Sequence, residues 1–221
     1  MRKTFHEELK ALREDISSMG ETVVTNVEDG LKALIEGDVD LAHKVIEADD
    51  EVDRMNNAIE EQCISIMARQ SPVARDLRMI LSTMFIAVHL ERMGDLALNV
   101  AKTARRTVRN EQSGPEELTE LLDRMGKLTL DVVRASLEAY ANKDVELAAR
   151  LPEMDDPIDD MHKEFLKALV RYQDEESLEW ATSMVLAGRF VERIADHAVD
   201  IGERVAYLVT GELREFNVVD G

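Results

Sequence analysis

Residues 19–53 read MGETVVTNVEDGLKALIEGDVDLAHKVIEADDEVD, and residues 125–159 read MGKLTLDVVRASLEAYANKDVELAARLPEMDDPID. The two segments align without a gap, and 13 of their 35 positions are identical. Shared helical composition alone would give far fewer identities in a fixed register. We therefore interpret the chain as an internal duplication in which each copy encodes the same structural unit.

The duplication continues into the later part of each copy with a different offset. Residue pairs there match at an offset of 101 instead of 106, as in Glu91-Arg92 with Glu192-Arg193, Asp95 with Asp196 and Ala97 with Ala198. The second copy is therefore five residues shorter between its second and third helices. We expect two units, residues 1–112 and 113–221.

The composition and the spacing of apolar residues indicate helices throughout. Aromatic residues are only 4% of the chain, whereas Ala, Leu, Val, Met and Glu are plentiful, which favours helix over strand. Apolar positions recur at three- and four-residue spacing. The predicted helices span roughly residues 3–36, 38–69, 72–109, 115–142, 144–172 and 175–211. The sequence thus predicts an all-α protein of two tandem, similar three-helix bundles.

Breaks between these helices carry capping residues. We expect an Asp cap after the breaks at Gly37-Asp38 and Asn142 to Asp144, and N-cap–Pro starts at Ser71-Pro72 and Gly114-Pro115. Proline inside a helix removes a hydrogen bond, so Pro152 and Pro157 are expected to kink or interrupt the fifth helix. The tail at residues 212–221 is expected to be mobile.

Charge and cysteine content exclude several classes of function. The formal net charge is −19, which argues against binding nucleic acid or an anionic membrane surface, since both require clustered Lys and Arg. It suits metal cations or a basic surface on a protein partner. Cys63 is the only cysteine, which indicates a reducing compartment. With no signal peptide apparent at the start, we expect a cytoplasmic protein.

Each unit carries two acid pairs at four-residue spacing, which places both members on one helical face. The first unit has Asp49/Asp53 and Glu91/Asp95, and the second has Asp155/Asp159 and Glu192/Asp196. With 46 acids in the chain, chance gives about nine such pairs, so an isolated pair indicates only a solvated face. Here each pair of the first unit has a counterpart at the equivalent position of the second unit.

The pair in the third helix also continues the apolar stripe, because Leu77, Leu81, Met84, Val88, Glu91 and Asp95 are spaced at alternating steps of four and three. Inward-facing acids need a metal or an ion-pair partner. Two such helices side by side would bring four carboxylates to one point, where a hard cation is favoured. The alternative is a set of internal salt bridges to Arg75, Arg92 and Arg193.

Other polar residues near the acid pairs are weaker candidates. Asn99 and Asp200 lie one turn further along and match each other in the repeat, so they are possible extra oxygen ligands. His162 and His197 occur only in the second unit. A lone helical histidine is more often an ordinary surface or core residue, so we leave both out of the ligand set.

These motifs resemble those of the PhoU family. The resemblance rests on SPVARDLR (residues 71–78), LERMGD (residues 90–95) with Asn99, FVERIADH (residues 190–197) and the two D-x-x-x-D pairs upstream. It covers essentially the whole chain, although the second unit has no counterpart of residues 71–78. The combination is specific, whereas either acid pair alone would not be.

The resemblance implies two three-helix bundles whose E/D-x-x-x-D motifs hold metal clusters of iron or zinc, or of magnesium or manganese. It implies a negative regulator of the phosphate regulon and of phosphate uptake. The implied partners are the ATP-binding subunit of the phosphate ABC transporter and a PhoR-type histidine kinase, reached at the inner face of the membrane through those partners. A homodimer and the absence of enzyme activity are also implied.

Two alternatives remain open for the function. The first is a di-iron carboxylate enzyme, although the Glu-x-x-His motif of that chemistry occurs nowhere in the sequence. The second is a metal-free helical scaffold in which the acids only solubilise the protein. A smaller possibility is an anion held at the helix start in Ser71–Arg78.

Overall fold

The computed structural model describes residues 2–109, 115–171, 175–213 and 216. Within these ranges it contains six α-helices and no β-strand, which confirms the all-α prediction. The helices are α1 (Arg2–Glu36), α2 (Val39–Gln70), α3 (Arg75–Arg109), α4 (Glu116–Asn142), α5 (Val145–Leu169) and α6 (Glu175–Thr210). The expected boundary at residue 112 and most of the tail expected to be mobile lie outside the described residues, so both stay predictions.

The second helix of each repeat begins in the same way. Asp38 and Asp144 each accept a hydrogen bond at 2.9 Å from the backbone N–H three residues later. The residue before each cap has a positive φ, 69° at Gly37 and 55° at Lys143, which ends the preceding helix. The predicted breaks and Asp caps are confirmed.

The prediction that Ser71 and Pro72 begin the third helix is wrong. The second helix continues to Gln70, and Ser71 ends it in the left-handed conformation with a φ of 44°. A proline disfavours the right-handed helical conformation for the residue before it. The chain therefore uses residues 71–74 to reverse direction, and α3 begins only at Arg75. The anion alternative at Ser71–Arg78 loses the Ser71 cap on which it relied.

Proline has a different effect in each of the two remaining cases. Helix α4 begins at Glu116, one residue later than predicted, and Pro115 is its cap residue without a side-chain hydrogen bond. Helix α5 is continuous from Val145 to Leu169 with Pro152 and Pro157 inside it, so neither proline interrupts the helix. Packing of α5 against α4 and α6 holds the helix together where two backbone N–H groups are missing.

The three helices of each repeat pack against one another, and the repeats then meet along α3–α6 and α1–α4. Helices α3 and α6 are antiparallel. Near one end of the contact Arg204 lies 4.1 Å over the ring of Phe85, and near the other Arg106 donates a 3.0 Å hydrogen bond to the hydroxyl of Ser183. Buried apolar residues from all six helices form one continuous core.

The α1–α4 contact repeats itself by internal symmetry. A Cβ atom on Gly20 would lie 2.6 Å from the side chain of Leu137, and one on Gly126 would lie 2.7 Å from Leu31. Gly20 matches Gly126 in the repeat, and Leu31 matches Leu137. Two glycine–leucine contacts related by the duplication therefore let α1 and α4 approach closely. None of the described helices has an apolar stretch long enough to cross a membrane.

Candidate metal centres

The first carboxylate cluster joins α2 to α3. Asp49 and Asp53 lie on α2, while Glu91 and Asp95 lie on α3. Burial raises the pKa of Asp49, and the charges of Asp53 and Asp95 raise it further. Burial and then Asp95 also raise the pKa of Glu91, and the two α2 carboxylates add to the effect. The two helices therefore bring their acid pairs into one another's electric field. The expected inward register is wrong, because Val88 is 44% exposed and Glu91 and Asp95 are only partly buried, so this stripe lies at the edge of the core.

Arginine does little to neutralise this first cluster. Arg92 lies 3.5 Å from a Glu91 oxygen and 3.6 Å from an Asp95 oxygen, and its side chain is 58% exposed. Exposed ion pairs of this kind contribute about 0–1 kcal/mol. Arg75, another expected partner, lines a different pocket beside His6. Lys102 is also exposed, and its charge lowers the pKa of Asp49. The positive charges near the four acids are therefore solvated.

The second cluster joins α5 to α6 and is more deeply buried. Asp155 and Glu192 are each only 7% exposed. Burial, followed by the charge of Asp196, raises the pKa of Asp155 to about 7. The same two causes raise the pKa of Glu192 to about 6. Burial also raises the pKa of Asp196, with Asp159 as the next cause. Without a cation, burial and then the neighbouring negative charges oppose ionisation of these carboxyl groups.

Two carboxylate oxygens of the second cluster lack a hydrogen-bond partner within the described ranges. Oδ1 of Asp155 and Oε2 of Glu192 are buried with no hydrogen-bond partner among the described residues. Arg189 pairs with the other oxygen of Glu192, a contact that sequence reasoning missed by expecting Arg193. A buried carboxylate oxygen without a partner needs a proton or a cation. The residues present thus fit a metal ion, with carboxylates from two helices as its ligands.

His162 also lies at the second cluster, although the sequence analysis left it out. Its Nδ1 is 3.9 Å from Oε1 of Glu192, and its Nε2 is buried without a partner in the described part of the chain. Burial, followed by the charge of Arg189, lowers the pKa of His162, which favours the neutral form that binds metals. Its spacing in Asp159-x-x-His162 was the available sequence signal, because residues three apart share a helical face.

The two possible extra oxygen ligands have other neighbours as well, and their role as ligands stays a prediction. Asn99 lines a cleft of about 550 Å³ between α3 and α6, beside Lys102 and Phe190. Oδ2 of Asp200 lies 3.4 Å from Nδ1 of His89 and 3.4 Å from Nδ1 of His197. Asp200 remains near enough to raise the pKa of Asp196, but its direct partners are these histidines.

The distances between potential metal-ligand atoms are shorter among His89, His197 and Asp200 than within the carboxylate clusters. Among the His, Cys, Asp and Glu side chains of the described ranges, one set of three has all its ligand atoms within 4.8 Å of one another. That set is His89, His197 and Asp200. The carboxylates of the two clusters are spaced more widely. A cation shared by three carboxylates of either cluster would therefore require side-chain rotations.

Comparison with known proteins agrees with this architecture. The PhoU domain family profile matches residues 16–104 and 122–205, once in each repeat. A Mycobacterium leprae protein named phosphate-specific transport system accessory protein PhoU homolog 1 is 35% identical over all of this chain and 99% of its own length. A Pseudomonas putida protein named phosphate-specific transport system accessory protein PhoU homolog is 38% identical over 94% of this chain and 81% of its own length.

Solved structures give the same result. The crystal structure of PhoU from Pseudomonas aeruginosa covers 94% of this chain and all of its own, with a TM-score of 0.90 at 35% identity. That of the phosphate transport system regulatory protein PhoU from Streptococcus pneumoniae covers 96% of this chain and 99% of its own, with a TM-score of 0.86 at 30% identity. With two matched domains and full-length relatives above 30% identity, this chain belongs to the PhoU family.

Proposed function

We propose that this protein is a negative regulator of phosphate uptake and of the phosphate regulon. In this role it links the ATP-binding subunit of the phosphate ABC transporter to a PhoR-type sensor kinase. The main support for the proposal is sequence similarity along nearly the whole chain, at 35% and 38% identity, to proteins named accessory proteins of the phosphate-specific transport system. Family membership supports a regulatory role without catalysis.

The carboxylate clusters support a second part of the proposal, that each repeat holds a metal cluster. Asp49, Asp53, Glu91 and Asp95 would hold the first, and Asp155, Asp159, Glu192 and Asp196 the second. The orphaned oxygens of Asp155 and Glu192 favour a cation at the second site. Oxygen ligands admit Mg, Mn, Fe or Zn. A metal there would pin α2 to α3 and α5 to α6, which stiffens each bundle.

The di-iron enzyme is the competing function. Asp159 and His162 give the second cluster one carboxylate–imidazole pair at three-residue spacing, whereas di-iron bundle proteins use a Glu-x-x-His pair from each of two helices. At the equivalent position of the first cluster, Asn56 replaces the imidazole. Oxygen consumption by the protein loaded with ferrous iron separates the two functions, because the regulator should consume none catalytically.

Genetic complementation tests the regulatory role. In a bacterium that lacks its own PhoU protein, an alkaline phosphatase reporter of the phosphate regulon should be expressed even in phosphate-rich medium. Expression of this chain should restore repression, and the chain should co-purify with the transporter's ATP-binding subunit or with the kinase. A folded, well-expressed chain that restores no repression and captures neither protein would refute the proposal.

Two further expectations belong to the same proposal. A homodimer in solution is expected from the family resemblance and is measured by light scattering coupled to size exclusion. Nucleic acid is excluded as a partner by the −19 charge, since counterion release from DNA requires clustered cations. Submicromolar DNA binding at physiological salt would contradict that exclusion.

A further inference from the structure

Three side chains outside the carboxylate clusters converge between the repeats. His89 comes from α3 of the first repeat, while His197 and Asp200 lie one turn apart on α6 of the second. The Nδ1 atoms of the two histidines are 3.3 Å apart, and each is 3.4 Å from Oδ2 of Asp200. The three ligand atoms thus form a nearly equilateral triangle that spans the α3–α6 contact.

The edges of this triangle match one coordination geometry. An ion with metal–ligand bonds of about 2.0–2.1 Å separates its ligands by about 3.3–3.4 Å when it is tetrahedral. The corresponding distance is about 2.9 Å when the ion is octahedral with the same bond lengths. We propose that His89, His197 and Asp200 bind a tetrahedral divalent transition-metal ion of the Zn²⁺ class. Solvent would supply its fourth ligand.

The donor set favours this class of ion. Two imidazoles and one carboxylate suit Zn²⁺ and its neighbours, whereas Mg²⁺ and Ca²⁺ prefer oxygen alone. The side chains of His89 and His197 are only 19% and 17% exposed, which orders the two nitrogens. Asp200 is 44% exposed and leaves an opening through which an ion and a water molecule can enter.

Hydrogen bonding within the group explains the same geometry less well. N–H···O and N–H···N bonds in proteins usually span about 2.7–3.2 Å, and all three distances here are longer. In the metal-free protein, one imidazole Nδ1–H can donate to the Nδ1 of the other, and only one proton fits between these two atoms. A cation at the centre of the triangle would satisfy all three lone pairs together.

The site has no counterpart in the other half of the molecule. At the offset of 101, His89 matches Phe190, and His197 and Asp200 match Leu96 and Asn99. The symmetry-related position therefore has a phenyl ring, an apolar side chain and an amide, which cannot bind such an ion. We expect one tetrahedral site per chain, distinct from the two oxygen-rich clusters and able to tie one repeat to the other.

One feature limits the affinity. Coordination through Nδ1 leaves the ring proton on Nε2, and Nε2 of His197 is buried with no hydrogen-bond partner among the described residues. A buried N–H without a partner opposes binding. We therefore expect affinity nearer the micromolar than the nanomolar range.

Titration of the chelator-treated full chain with Co²⁺ tests the proposal, because tetrahedral Co²⁺ absorbs visible light far more strongly than octahedral Co²⁺. The strong bands should saturate at the intensity of one tetrahedral Co²⁺ per chain, and Zn²⁺ should abolish them by displacement. His89→Gln and His197→Gln should each weaken Co²⁺ binding by at least about 100-fold. Loss of a residue that only supports a metal ligand costs up to about 100-fold in affinity, and loss of the ligand itself should cost no less.

Control variants keep the test decisive. His43→Gln removes an exposed imidazole on α2 and should leave the bands unchanged. Glu91→Gln/Asp95→Asn alters an oxygen-rich cluster and should also retain them. Asp200→Asn keeps the shape of a half-exposed side chain, so it reports on the site even if a histidine variant fails to fold. Weak octahedral absorption in the parent, or equal binding by Asp200→Asn and His43→Gln, would overturn the proposal.

Discussion

Asp49 and Asp155 occupy the same position of the two repeats, yet their environments differ. Asp155 is nearly inaccessible to solvent, whereas Asp49 is half-buried. Burial raises the pKa of both, but only Asp155 reaches a value of about 7. Equivalent residues therefore have unequal electrostatic cost in the metal-free protein, and the second cluster should depend more strongly on its cation.

This difference predicts how stability varies with pH after metal removal. Because the folded-state pKa of Asp155 is raised from 3.8 to about 7, the folded state keeps a proton that the unfolded state releases. The stabilisation is complete below pH 3.8 and is lost as pH rises through about 7. Unfolding of chelator-treated protein should cost on the order of 2–4 kcal/mol less at about pH 8 than at about pH 5. Thermal melts measure this slope.

Two matched variants test whether Asp155 causes this pH dependence of the free energy of unfolding. Asp155→Asn should flatten it, whereas Asp49→Asn should change it much less. A slope that is identical in the parent and in Asp155→Asn would show that Asp155 does not hold the proton.

Removal of charge from the clusters should remove metal without unfolding the chain. Glu91→Gln/Asp95→Asn and Glu192→Gln/Asp196→Asn keep side-chain shape, and loss of a like-charge pair relieves about 0.2–0.5 kcal/mol in each helix. Metal content should fall by one cluster in each variant while helicity persists. Glu116→Gln/Glu120→Gln removes an exposed pair of the same spacing on α4 and should retain all the metal. Elemental analysis gives the stoichiometry.

Opposite results would identify internal salt bridges. If arginines neutralise the acids, the cluster variants should lose several kcal/mol by leaving a buried charge unpaired. Their metal content would then equal that of the parent, and chelator would not change the parent's melting temperature.

At the scale of the elements, Pro152 of α5 and Gly202 of α6 both affect the backbone carbonyl of Ala148. Proline has no N–H to donate to Ala148, four residues earlier, so that carbonyl lacks its usual helical partner. A Cβ on Gly202 would lie 3.2 Å from this same carbonyl oxygen and 2.5 Å from Leu151. The glycine lets α6 approach α5 at the carbonyl that Pro152 leaves without its usual i+4 donor.

Gly202→Ala should therefore lower the free energy of unfolding by about 1–3 kcal/mol, the usual cost of overpacking. Gly20→Ala is the matched control, because the obstacle there is the end of the partly buried Leu137 side chain, which can rotate. The gain of about 1 kcal/mol in helix propensity should offset most of its strain. Urea unfolding monitored by circular dichroism compares the two. Equal stability of the two variants would contradict a rigid contact at Gly202.

At the scale of the whole molecule, the duplication does not produce two independent bundles. The α3–α6 and α1–α4 contacts and one continuous core join the repeats. We expect the full chain to unfold in a single transition, and residues 1–112 alone to be far less stable because the core faces of α1 and α3 would meet water. Urea titration followed by circular dichroism tests both. Two separate transitions, or a stable isolated half, would contradict this coupling.

Much of this protein follows from its sequence alone. The duplication and the apolar spacing determined six helices, and the Asp caps at residues 38 and 144 determined where the second helix of each repeat begins. These features depend on interactions within a few residues, which a linear pattern records. The four acid pairs were also readable, because residues four apart must share a helical face.

Only the tertiary structure decided how deeply each cluster is buried and which side chains meet between the repeats. The start of α3 moved to Arg75 because the chain reverses direction between two packed helices. His89 and His197 are more than 100 residues apart in the sequence and have no histidine counterparts in the repeat, so neither local spacing nor internal symmetry could pair them. Antiparallel packing of α3 on α6 brings them to one point, and that packing is determined by the apolar surface buried between the helices.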